Sequence, residues 1–268
     1  MPPALPLITL LTDFGSKDYF VASMKGVILT IHPAARIEDV SHHISPHQID
    51  EAAYCLHACY RTFPEGTVHV VVVDPGVGSH RRPILVKTGR YYFVAPDNGV
   101  LTPVLNVEED IEIREIENQR YQMQSPGATF HGRDVFAPVA AWLAKGTALS
   151  SFGRLVSDPV RMNWPQPRMT ARTIIGEIVY IDRFGNLLSN ISHTQIEAGK
   201  TGRPEILVGE HLIGNMVANY SEGKADVLHA LINSNGMLEL FLKERPASEC
   251  LKIAVGAVVK MKVDGGLS

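Results

Sequence analysis

The 268-residue chain has a net charge of -3, with 45% hydrophobic and 20% charged residues, an ordinary globular balance that is large enough for one big domain or two modest ones. A slightly acidic chain without a lysine or arginine run argues against nucleic acid or an anionic membrane as partner. The apolar stretch 5–11 is too short for a membrane span or a secretory signal, and three cysteines, with Cys55 and Cys59 on one helix face, point to reduced thiols in a cytoplasmic protein.

Residues 7–11 (LITLL) predict a buried strand that runs into Thr12-Asp13-Phe14-Gly15. From 19 to 31, Phe20, Met24, Val27, Ile28 and Ile31 recur at helical spacing, and Pro33 stops that helix by disfavouring the α region at His32. A short strand follows over 36–40. Ser45-Pro46, a capping serine with proline at the first helical position, predicts the start of a second helix, with Ile49, Ala52, Ala53, Leu56 and Tyr60 on one face and an end near Phe63-Pro64. Four consecutive valines, 70–73, then read as a fully buried strand ending in Asp74-Pro75-Gly76, with further strands over 84–88 and 91–95.

This alternation predicts an α/β N-terminal domain with a mainly parallel sheet covered by helices. Parallel strands would open Asp13 and Asp74 on one sheet edge, joined there by Asp97-Asn98-Gly99. Residues 111–116 alternate as a strand. Phe130-His131-Gly132-Arg133-Asp134 leads into a helix with Phe136, Val139, Ala140 and Leu143 inward, stopped by Gly146. The stretch 157–171 holds Pro159, Pro165 and Pro167 without periodicity, which sets the α/β domain at 1–160, a linker at 161–171 and a second domain at 172–268. That second domain, about 95 residues, reads as a smaller mostly β, barrel-like unit. Its strands are predicted at 173–181, 187–191, 206–208, 227–232, 237–242 and 257–263, with Asp182-Arg183-Phe184-Gly185-Asn186 as a hairpin turn.

Asp74, Arg81 and Arg82, at the end of the buried strand, form the first candidate site. Asp13 reads equally well as a helix cap or as a functional carboxylate. Asp74-Pro75-Gly76-Val77-Gly78 lacks the third glycine and the following helix of a dinucleotide fingerprint, so a plain turn fits it as well. His42, His43 and His47 cluster without the spacing of a helical zinc motif, and no metal is expected. His131 at a helix entry reads as a structural hydrogen-bonder or a catalyst. Pattern alone therefore reaches a two-domain α/β protein with a polar site on a sheet edge and names no reaction.

Taken in order, LLTDFGSKDYFVASMKG, VVDPGVGSHRRPI, VAPDNGVL, TFHGRDVFAP and IDRFGNLLSNI resemble the S-adenosyl-L-methionine hydroxide adenosyltransferases, adenosine-forming hydrolases related to the fluorinases and chlorinases. The resemblance covers nearly the whole chain. It implies that water attacks C5′ of S-adenosyl-L-methionine to give adenosine and L-methionine without metal or other cofactor, with Asp74, Arg81 and His131 activating the water. It places Asp13 on the ribose hydroxyls, Asp18 and Asp182 near the methionine amino group, Phe184 and Asn186 on adenine, and Ser234 on the methionine carboxylate. The halogenating relatives carry tyrosine-serine where this chain has His131-Gly132, which favours water as nucleophile. Asn235 stands where an arginine is common and Lys243 where an asparagine is common, which leaves a binding module with little turnover as the alternative beside a halide-using transferase. The resemblance further implies a homotrimer with sites at subunit interfaces.

Overall fold

The computed structural model describes residues 7–170, 172–199 and 205–263. It forms two compact units, 1–163 and 164–268. Ala171, the last residue of the predicted linker, lies outside the described residues, as do residues 1–6 and 264–268 at the ends of the two predicted domains.

In the first unit, β1 (Leu7–Thr12), α1 (Phe20–Ile31), β2 (Arg36–Ser41), α2 (Ile49–Cys59) and β3 (Val68–Val72) follow the predicted alternation. They continue into β4 (Pro83–Lys87), β5 (Tyr92–Pro96), α3 (Thr102–Val107), β6 (Glu112–Glu115) and α4 (Ala137–Ala144). The sheet order is β2-β1-β3-β5-β4-β6. β2, β1, β3 and β5 run parallel, whereas β4 is antiparallel to both β5 and β6. The sheet is therefore mixed: β4 and β5 are joined by a tight turn, with Thr88 N–H donating to the Tyr91 carbonyl, and so short a connection permits only antiparallel pairing.

β3 is the deepest strand, every residue buried. Its Val70 and Val71 are wholly inaccessible, each such side chain contributing about 1.5–3 kcal/mol of burial. His69 shares that burial, which pushes its pKa down to about 3. The neutral ring stacks on Phe93 at 5.2 Å and hydrogen-bonds Thr9 Oγ1 through Nδ1 at 2.8 Å. Because β1, β3 and β5 are parallel, Asp13, Asp74 and Asp97 all follow strand ends on one sheet edge.

Two helix starts differ from expectation. Ser45-Pro46 does not open α2, which begins at Ile49 after a turn in which His47 takes φ 67°. The turn is held away from helix because the Glu51 carboxylate accepts the Ser45 N–H and Asp13 accepts that of His47. The helix after His131 opens with a π-helical turn over Gly132–Phe136 before α4. Such turns recur at functional sites.

The second unit is a sheet ordered β11-β10-β14-β8-β9-β13-β12. Its members are β7 (Arg168–Met169), β8 (Thr173–Ile181), β9 (Leu187–Ser192), β10 (Ile206–Val208), β11 (His211–Ile213), β12 (Leu228–Ile232), β13 (Met237–Leu242) and β14 (Val258–Lys262). A parallel bridge from Met216 to Ala230 brings the stretch after β11 against β12, so the sheet curls toward closure around Ile174, Ile178, Leu187, Ile191 and Leu240. β7 pairs with β8, so the stretch read as a linker supplies a strand at Arg168–Met169. Short helices α5 (His193–Ala198) and α6 (Ala247–Leu251) complete the unit.

Candidate active site

At the end of β3 the chain makes a glycine-containing turn and returns to the sheet edge at β4, which places Arg81 beside Asp74. Arg81 Nε donates to Asp74 Oδ1 at 2.9 Å and Nη2 donates to Oδ2, a bidentate pair with both side chains over nine-tenths buried. Gly76 eases the fold-back, since a Cβ there would crowd Arg81 Cγ at 3.2 Å. The guanidinium also lies 5.3 Å over the Phe136 ring.

Arg81 Nη2 meets His131 Nδ1 at 2.8 Å. A guanidinium only donates, so Nδ1 accepts, and the neutral ring carries its hydrogen on Nε2. Burial first and the Arg81 charge second hold His131 below the usual histidine range. The third guanidinium nitrogen, Arg81 Nη1, is buried and without a partner among the described residues, an unspent donor in the middle of the triad.

A cleft of about 520 Å3 opens here, lined by Asp74 and His131 together with Asp13, Tyr19, Phe20 and His47. Asp13 is half-buried, and its Oδ2 accepts the His47 N–H at 2.9 Å. Asp18 is exposed and outside that lining. Arg82, next to Arg81, turns to other work: it binds Asp97 Oδ2 from Nε at 2.9 Å and Asp158 Oδ1 from Nη1 at 2.8 Å. Asp97 is thereby a structural anchor. Among the described residues, no group of three or more histidine, cysteine, aspartate or glutamate side chains is placed to hold a metal; of the predicted cluster, His42 is engaged by Thr12 and Asp39.

The second unit has its own cleft, about 860 Å3, lined by Asp182, Phe184 and Asn186 of the β8–β9 turn and by Tyr220, Phe241 and Lys243. Asp182 organises the turn: Oδ1 accepts the Phe184 and Asn186 N–H groups at 2.9 Å each and Oδ2 accepts Asn186 Nδ2 at 3.0 Å. Asn186 is buried while the Phe184 ring is 76% exposed. Gly185 takes φ 80°, and a Cβ there would meet Pro246 at 2.5 Å. Ser234 is exposed on the β12–β13 turn, outside this lining.

Sequence reasoning missed Tyr220 and Glu239. The Tyr220 hydroxyl donates to the buried Glu239 carboxylate, burial and that carboxylate raise its pKa, and the ring meets Phe241 edge-on at 4.9 Å. Asn233 Nδ2 donates to the other Glu239 oxygen at 3.2 Å. The available signal was a lone acid inside the apolar run of β13.

Two domain models span most of the chain: the SAM hydroxide adenosyltransferase N-terminal domain matches residues 8–153 and its C-terminal domain 176–260. The chain belongs to the SAM hydroxide adenosyltransferase family. Family members with which it aligns include the (R)-S-adenosyl-L-methionine hydrolase of Methanocaldococcus jannaschii, 35% identical with 93% of each chain covered. The protein of the same name from Thermus thermophilus is 34% identical, covering 94% of this chain and 97% of that one. A fluorinase from an Actinoplanes species is 33% identical over 74% of this chain and 75% of its own. Among solved structures, an uncharacterized conserved protein from Thermotoga maritima superposes with a TM-score of 0.88 at 35% identity, covering 95% of this chain and 99% of that one.

Proposed function

We propose that this family member is an enzyme that hydrolyses S-adenosyl-L-methionine to adenosine and L-methionine. The observation that carries the reading is the Asp74–Arg81–His131 chain, hydrogen-bonded end to end, on the cleft that also presents Asp13. The names of the hydrolase relatives specify the R sulfonium, and we extend that epimer to this chain.

The sulfonium is already a good leaving group, so the site has to position water and manage one proton. Arg81 cannot accept that proton. Its hold on Nδ1 leaves His131 Nε2–H, on a residue that lines the cleft, as the donor suited to stabilise hydroxide-like charge on the attacking oxygen, with the buried Arg81 charge behind it. As the C5′–S bond breaks, its electron pair goes to sulfur. The water oxygen bonds to C5′ and one proton leaves it for the Asp74 carboxylate, then for solvent. Asp13, with one oxygen fixed by His47, keeps the other for a ribose hydroxyl.

Asp18 and Asp182 toward the methionine amino group, Phe184 and Asn186 toward adenine, and Ser234 toward the methionine carboxylate belong to the same proposal, as do a homotrimer with sites at subunit interfaces and a cytoplasmic location. Water is preferred to halide because Gly132 stands where the halogenating relatives carry serine, and a Cβ there would crowd Met24 Sδ and the Phe14 ring at 3.2 Å, so those side chains would have to shift.

Incubation with each sulfonium epimer in 18O-water and chelator tests the reading. The expected products are methionine and adenosine labelled at the 5′ oxygen; unlabelled adenosine, or none, overturns it. Light scattering at three times the 29.4 kDa chain mass is the expected result for the assembly.

A further inference from the structure

The cleft of the first unit contains more aromatic surface than its triad needs. Phe14, Tyr19, Phe20 and Phe130 all line it, with ring centroids 4.9 Å apart for Tyr19–Phe20, 5.2 Å for Phe20–Phe130 and 5.5 Å for Phe14–Phe20. Phe14 and Phe130 also pack against the core, which accounts for them structurally. Packing does not account for Tyr19, which leaves 65% of its surface to solvent at the cleft.

The charges of the cleft are unevenly settled. Asp74 is neutralised by Arg81, and Arg133 by Asp134 at 2.6 Å. The Arg133 guanidinium lies 5.0 Å over Phe130, so one ring of this wall already holds a cation. Asp13 has no ion pair among the described residues; its Oδ2 accepts the His47 backbone N–H. A negative charge left over beside exposed aromatic rings is the composition of a cation site, the arrangement by which aromatic cages take onium groups.

We infer that Tyr19 and Phe20, in the field of Asp13, form a receptor for the sulfonium of the substrate and make the site discriminate the charged sulfonium from the neutral thioether. This rests on the reaction proposed above. It carries a kinetic consequence: the positive charge fades as C5′–S breaks, so the rings favour the bound substrate over the transition state, and their removal raises KM without lowering kcat. It also makes the neutral thioether product the weaker ligand, which aids release.

The test compares S-adenosyl-L-methionine with S-adenosyl-L-homocysteine, its neutral thioether analogue, as substrate and competing inhibitor for wild type, Tyr19→Leu, Phe20→Leu and Tyr19→Phe. Each leucine variant is expected to raise KM for the sulfonium roughly 3- to 10-fold while the thioether inhibition constant stays within about twofold, and Tyr19→Phe is expected to behave as wild type. Equal weakening of both ligands, or of neither, overturns the inference. Tyr19 is exposed, so its variants report even if Phe20→Leu folds poorly. If wild type releases no adenosine, the proposed reaction fails by itself, and calorimetric titration with the same two ligands still decides whether the rings read charge.

Discussion

The two clefts solve different problems with different materials. In the first unit the charged groups are buried and already paired: Arg81 and Asp74 are over nine-tenths covered, and His131 is locked into one tautomer by the guanidinium. In the second unit the turn is rigid but its aromatic residue is not covered. Asp182 spends its carboxylate on three donors of its own turn, and Phe184 is left 76% exposed. A preorganised, desolvated charge cluster suits the chemical step, whereas an exposed ring on a fixed turn suits recognition. On the proposed reading, ordering of charge, more than cleft size, marks the reactive region: the larger cleft is the one without the triad.

That contrast is open to attack, most severely at the triad. His131→Ala and Arg81→Ala are each expected to cut kcat by roughly 100-fold or more while changing KM little, read by steady-state release of adenosine. A pure KM effect would erase the distinction between the clefts. Phe184→Ala is expected to show the mirror image, KM up about 10-fold with kcat within a factor of a few and an unchanged melting temperature, because the lost ring surface is solvent-facing in the isolated chain.

Glu239→Ala sharpens the comparison through stability. It strips the partner from the Tyr220 hydroxyl and the Asn233 amide, so a loss of about 1–3 kcal/mol in urea unfolding is expected, with kcat nearly preserved. The pH dependence is the subtlest expectation. With His131 held below its ordinary value of 6.5 by burial and by Arg81, the unfolded chain binds this proton more readily than the folded one. The histidine's contribution to stability is therefore complete above about pH 6.5 and is lost as pH falls through the lower folded pKa. The acid limb of kcat/KM should sit below pH 6.5, and an NMR titration of His131 should move upward in Arg81→Lys if the guanidinium grip on Nδ1 matters.

Much of this was legible in the residues. Four valines in a row can hardly be anything but a buried strand; pattern alone leaves Arg81 and Arg82 as equal candidates, and the family resemblance singles out Arg81, the one the structure joins to Asp74. Failures came where local chemistry was outbid by a distant group. Ser45-Pro46 has every mark of a helix start, yet Asp13, 34 residues away from His47, takes that backbone N–H and keeps the turn open. The π turn after His131 leaves no composition signal. The helix α5 was readable and overlooked, since Ser192 and Gln195 form a full capping box. The pairing of Tyr220 with Glu239 joins residues 19 apart across a loop, and no periodicity encodes such a contact.

Arg81 and Arg82 are chemically identical neighbours sent to opposite tasks, one to Asp74 and His131, the other to Asp97 and Asp158. Side chains alternate along an extended chain, so which arginine faces which carboxylate depends on how many residues separate Asp74 from β4. The turn is thus a ruler. Removing one residue from it would leave composition, charge and every side chain of the triad present, and would hand Asp74 the wrong arginine.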